Sequence, residues 1–114
     1  MTEIYAQGDL LIERVGDVSA SGARLHPGED GAFVLAEGEV TGHRHAIFDK
    51  VTFFRDDALA RDIPDGLYVG HVRVEEAGVQ IEHDEHDSIP LTPGTWRVRR
   101  QREIEPRDVR VVSD

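Results

Sequence analysis

The chain has 114 residues, 23 acidic against 13 basic side chains (net charge −10), 39% hydrophobic residues and no cysteine. That length fits a single domain, 1–114, with a modest core. The lack of cysteine rules out disulfides, thiolate catalysis and sulfur-held zinc, and the acidic balance argues against a general nucleic-acid binder, whose phosphate contacts need surplus Lys and Arg.

Gly and Pro punctuate the chain about every ten residues, the spacing of short strands joined by turns. Asp9 to Val15 reads as a first strand, with Gln7-Gly8-Asp9 as the turn that leads into it. A polar stretch through Ser19, Ser21, Pro27, Gly28 and Gly31 reads as loop with one short extended piece. Ala32 to Ala36 is an apolar run of strand length. Glu39 to Phe48 alternates, and Val51 to Arg55 is expected to extend or pair with it. Asp56 to Asp62 is the one candidate helix, about two turns long and marginal by itself.

After a Pro64-Asp65-Gly66 turn, Leu67 to Glu75 reads as a strand, with Leu67, Val69, His71 and Arg73 on one face and Tyr68, Gly70, Val72 and Val74 on the other. Val79 to His83, Trp96 to Gln101 and the tail Val109 to Val112 complete the set. The expected fold is all-β, a small β-sandwich or cupin-like barrel of seven to nine short strands. No stretch approaches the ~20 apolar residues that span a bilayer. The start, Met1-Thr2-Glu3-Ile4-Tyr5, has no basic or apolar leader. A cytoplasmic protein without a membrane partner is therefore expected.

Four of the six histidines fall in two clusters, Gly42-His43-Arg44-His45 and His83-Asp84-Glu85-His86. The i, i+2 spacing of His43 and His45 puts both imidazoles on one strand face, and Gly38 and Gly42 permit close backbone approach. His83 and His86 lie at a strand end. The two clusters are expected to be halves of one metal site, with His43, His45, His83 and His86 as ligands and Glu85 as ligand, base or outer-shell acceptor. Imidazole and oxygen donors suit a divalent transition metal, with zinc, iron and manganese first, and nickel or copper(II) also compatible. The alternative is that these histidines sit on a solvated strand face and in a solvated acidic turn. His71 reads as a strand residue and His26 as solvent-exposed.

The charge is uneven. Residues 97–110 carry six Arg against three acids, whereas residues 75–87 hold six acids and no Lys or Arg. Arg97 and Arg99 are candidate substrate-binding residues, able to clamp a carboxylate or phosphate bidentately. Cross-strand pairing with the acidic remainder is the alternative. Serine-nucleophile, P-loop and dinucleotide motifs are absent from the sequence.

Taken together, Tyr5-x-Gln7-Gly8-Asp9-Leu10-Leu11-Ile12, Ala36-Glu37-Gly38-Glu39-Val40-Thr41-Gly42-His43-x-His45, His83-x-Glu85-His86-x-x-Ile89-x-Leu91-x-Pro93-Gly94 and Gln101-Arg102-Glu103 resemble a family of small uncharacterised bacterial and phage proteins. That resemblance implies no activity. The His-x-His strand and the later Pro-Gly turn also resemble cupins, small metal-binding barrels. However, Ile47, Phe48 and Asp49 stand where the cupin pattern has its Glu, and Thr95, Trp96 and Arg97 follow Pro93-Gly94 where it has a His.

The first functional expectation is a metal-binding domain, extended to a metal-dependent hydrolase if an ion-bound water attacks an ester, amide or phosphoester. The alternative is a non-catalytic phage or mobile-element structural or interaction module. A nucleic-acid role through Arg97 to Arg110 ranks last. The expected partner is a small molecule or a protein, with a homo-oligomer open.

Overall fold

The computed structural model describes residues 3–37 and 43–101. Among them, ten short strands and one 3₁₀ turn are formed, and every strand pairing is antiparallel.

β1 (Ile4–Gln7) and β2 (Leu10–Gly16) form a hairpin with Gln7 opposite Leu10. Its two-residue loop is Gly8-Asp9. Gly8 has φ 58° and Asp9 a negative φ, the pattern of a type II′ turn, which requires glycine at its first central position. β3 is Ala23–Leu25, β6 Thr52–Arg55, β7 Tyr68–Val74 and β10 Gly94–Arg100. These strands join the hairpin in one six-stranded sheet of order β1-β2-β10-β7-β6-β3.

Two further hairpins pair β4 (Phe33–Glu37) with β5 (Arg44–Ile47), and β8 (Val79–Ile81) with β9 (Ile89–Leu91). Ala46 and Glu82 exchange both backbone hydrogen bonds, at 2.9 and 2.8 Å, and so join β5 to β8. The result is a second layer in the order β4-β5-β8-β9.

One core fills the space between the layers. Leu10, Ile12, Phe53, Val72, Val74, Trp96 and Val98 come from the large sheet, and Leu35, Ile47, Val79, Ile81, Ile89 and Leu91 from the small one. Period-2 alternation produces this: Leu10/Ile12, Val72/Val74 and Trp96/Val98 each point inward from alternate positions. Trp96 is fully buried, donates its indole N–H to Thr92 O at 2.8 Å and stacks on Tyr5. On the outer face of the large sheet, Phe54 and His71 stack and are buried, and Ala60 and Ile63 of the 57–66 loop are buried as well.

The all-β, two-layer architecture agrees with the sequence expectation, and several details differ. Among the described residues, strands number ten rather than seven to nine. β1 lies before the expected first strand, and β9, which carries Pro90 and pairs with β8, lies where no strand is expected from the sequence. The candidate helix is only a 3₁₀ turn, Asp57–Leu59, capped by Asp56, too short to nucleate more without packing. β6 pairs with β7 and β3, not with β5. A bulge opposite Val98/Arg99 breaks the alternation of β7 and carries Tyr68 toward the His71 face. Gly38, the Glu39 to Gly42 part of the alternating segment and the tail strand Val109 to Val112 lie outside the described residues.

Candidate functional site

β5 and the β8–β9 connection bring the two histidine clusters together. The Ala46–Glu82 bridge sets His45 and His83, each one residue away, side by side. Their ring centres are 4.4 Å apart; His83 also lies 4.6 Å from His86 and 5.8 Å from His43. His83 is therefore the hub, with three imidazoles around it. Burial is graded: His45 is fully buried, His83 is 8% exposed, and His43 and His86 are partly covered.

His43 stands between two acids of the β8–β9 loop, with Nδ1 3.2 Å from Glu85 Oε1 and Nε2 3.9 Å from Asp84 Oδ2. Both carboxylates are half exposed, and the closer contact lacks hydrogen-bond alignment. His83 Nδ1 accepts the Glu85 backbone N–H at 3.1 Å. His86 Nε2 is buried without a hydrogen-bond partner, a costly state for a polar atom that an ion would relieve. A cleft of about 360 Å³, lined by Arg44, Ala46, Phe48, Glu82, His83 and Asp84, opens beside the hub.

The rings gather, but their donor atoms do not converge. Among the described residues, no three His, Asp or Glu side chains are already arranged to hold a metal ion. One reason is visible at His83, where the Glu85 amide occupies Nδ1.

Three residues that sequence reading passed over reach this cluster. Gln7 Oε1 lies 2.9 Å from His45 Nδ1, and Asp9 Oδ1 lies 3.8 Å from His45 Nε2. Arg100 Nη1 donates to Asp9 Oδ2. The Gly-Asp turn was legible as a turn. That it folds against residues 36 to 38 positions later has no local signature.

Arg97 and Arg99 are placed elsewhere. The Arg97 guanidinium bonds Glu13 (2.8 Å) and Asp62 (2.8 and 3.1 Å) on the face that carries its cross-strand partner His71, and Arg99 Nε donates to Arg100 O. The arginines beside the cluster are instead Arg44, which lines the cleft, and Arg100, which reaches it through Asp9. His71 is buried and hydrogen-bonded to Tyr68, and His26 is exposed.

Fold and site together define a small antiparallel β-domain with a histidine-lined corner where its two layers meet. The chain belongs to the family described as Domain of unknown function (DUF8820), which it matches over residues 6–101. That span includes every described member of the cluster. No curated protein and no solved structure matches the chain significantly.

Proposed function

We propose that this protein binds one divalent transition metal ion through His43, His45, His83 and His86. The observation that carries the reading is the position of His83, with three other imidazole rings 4.4 to 5.8 Å from its centre. Two imidazoles sharing a tetrahedral ion at about 2.0–2.1 Å set their ring centres roughly 5 Å apart, so small ring rotations suffice. A cysteine-free imidazole site of this kind suits zinc or iron, and manganese where a carboxylate joins the donors. Glu85, beside His43 and half exposed, is in place to hold a proton or to orient the His43 ring. An ion bound here with one open position would supply an activated water, the chemistry of a metal-dependent hydrolase.

A second reading, in which the same ion is purely structural and the domain is a non-catalytic interaction module, draws on the full burial of His45. Under it, chelation costs stability alone; under the hydrolase reading, chelation also removes activity on ester or phosphoester probes.

The test is titration of chelator-stripped protein with Zn²⁺ by calorimetry, with metal content read by mass spectrometry. One ion per chain is expected, with affinity reduced at least about tenfold in His83→Ala and His45→Ala and unchanged in His26→Ala. Equal weak uptake by wild type and all three variants would overturn the proposal.

A further inference from the structure

The β1–β2 turn enters the cluster from the opposite layer, and its two flanking side chains address different atoms of His45. We infer that this turn completes the centre: Asp9 Oδ1 is an oxygen ligand of the ion, and Gln7 selects the nitrogen of His45 that joins it. The inference rests on the metal-binding reading and adds to it a ligand and a positioning residue.

Gln7 is 2% exposed, and its amide orientation is set by its partners. Nε2 donates to Ile81 O at 3.2 Å and to Asp87 O at 2.9 Å; both are carbonyls and can only accept. Oε1 is thereby the atom turned to His45 Nδ1, at 2.9 Å. An amide oxygen has no proton to give, so Nδ1 carries the hydrogen. In the neutral ring the lone pair is then on Nε2. This is the arrangement in which ligating histidines are held, one nitrogen donating outward while the other faces the metal. The same two amide bonds bracket the segment carrying His83 and His86, tying it to β1.

His45 Nε2 lies 3.8 Å from Asp9 Oδ1. That carboxylate is split in its contacts. Oδ2 is bonded by Arg100, whereas Oδ1 is buried without a hydrogen-bond partner. A buried carboxylate oxygen left so is costly, and a cation is its natural complement. With the four imidazoles and Asp9 the ion is five-coordinate, and neighbouring donor atoms at bonds of about 2.0–2.1 Å then stand roughly 3 to 3.5 Å apart, within a small side-chain rotation of the observed separation. Arg100 leaves Oδ1 as the oxygen facing His45. The type II′ turn at Gly8 holds Gln7 and Asp9 two residues apart, on the two sides of one imidazole. A carboxylate in the donor set also favours zinc, iron or manganese over softer ions.

The test uses the full chain with three probes: Zn²⁺ calorimetry, the visible spectrum of the Co²⁺-loaded protein, and nitrogen-detected NMR of the His45 tautomer without metal. Asp9→Asn keeps the shape and removes the charge. It is expected to lower Zn²⁺ affinity about 10- to 100-fold and to shift the Co²⁺ bands. Gln7→Ala is expected to release His45 from the Nδ1–H tautomer and to weaken Zn²⁺ binding. Should Asp9→Asn not fold, Asp9→Glu displaces the oxygen by one methylene and is read the same way, by a shifted cobalt spectrum.

Wild-type affinity and an unchanged cobalt spectrum in the Asp9 variant overturn the ligand assignment while the histidine centre stands. A wild-type His45 that carries its proton on Nε2 overturns the role of Gln7. Failure of the wild-type protein to take up Zn²⁺ overturns the underlying reading itself.

Discussion

Tyr68 Oη lies 2.7 Å from His71 Nδ1, brought there by the bulge in β7. The same hydroxyl accepts the Asp56 N–H at 3.1 Å, so its own proton is available to His71. The imidazole is 2% exposed and stacks on Phe54 at 5.4 Å. Burial, followed by the charge of Arg97, lowers its pKa from 6.5 to about 4. His71 is thus a neutral acceptor in the outer core, away from the four-histidine cluster.

That neutrality makes stability depend on pH in a defined direction. The unfolded chain protonates His71 near 6.5 and the folded one near 4, so between those values the unfolded state binds more protons. The contribution is complete above pH 6.5 and is lost as pH falls toward 4, by up to about 3 kcal/mol. Urea unfolding at about pH 7.5 and about pH 4.5 measures it. The wild-type loss on acidification is expected to exceed that of His71→Gln.

Arg97 acts on this histidine as well as on its ion pairs. It is the main cause of the lowered Asp62 pKa, and it contacts Glu13 from a largely buried position. Arg97→Gln leaves Glu13 without this partner and is expected to cost about 1–3 kcal/mol. It should also raise the His71 pKa above its wild-type value, which NMR titration reads directly. A role in clamping substrate predicts neither effect.

Gly22 is a backbone requirement of the β3–β6 edge. Its φ is +68°, and a Cβ there would stand 2.1 Å from Arg55 O, a backbone atom of the partner strand. Gly22→Ala combines left-handed strain of about 1–2 kcal/mol with displacement of β3. A thermal midpoint several degrees lower is expected, while Gly31→Ala, with open space around its Cβ, bears the conformational strain alone.

Zn²⁺ should stabilise the fold by mass action. At a free concentration 100 times the dissociation constant, the gain is about 2.7 kcal/mol. The measurement is a shift in thermal midpoint, reversed by chelator. His83→Ala should lose that shift while His71→Gln keeps it, because the two histidines lie in different buried patches.

Much of the fold was readable locally because alternation is a local property. Leu10/Ile12 and Trp96/Val98 announce their inward faces two residues at a time, and Gly and Pro mark where strands stop. The limits are equally physical. No strand is expected over Ile89–Leu91 from the sequence, because that stretch is short and carries Pro90, yet its pairing with β8 makes it β9. Tyr68 and His71 read as opposite faces because a bulge is a property of the pair of strands, not of one.

The candidate site divides the same way. Sequence by itself determined the donor chemistry, imidazole and carboxylate without sulfur, and that His43, His45, His83 and His86 come in two short groups. Only the tertiary structure decided that the groups meet, because the Ala46–Glu82 bridge joins strands far apart in the chain. It alone also brought Gln7 and Asp9 to His45, through a hairpin docked from the other layer. Strand pairing across such separations depends on which faces bury each other, and no window of neighbouring residues carries that information.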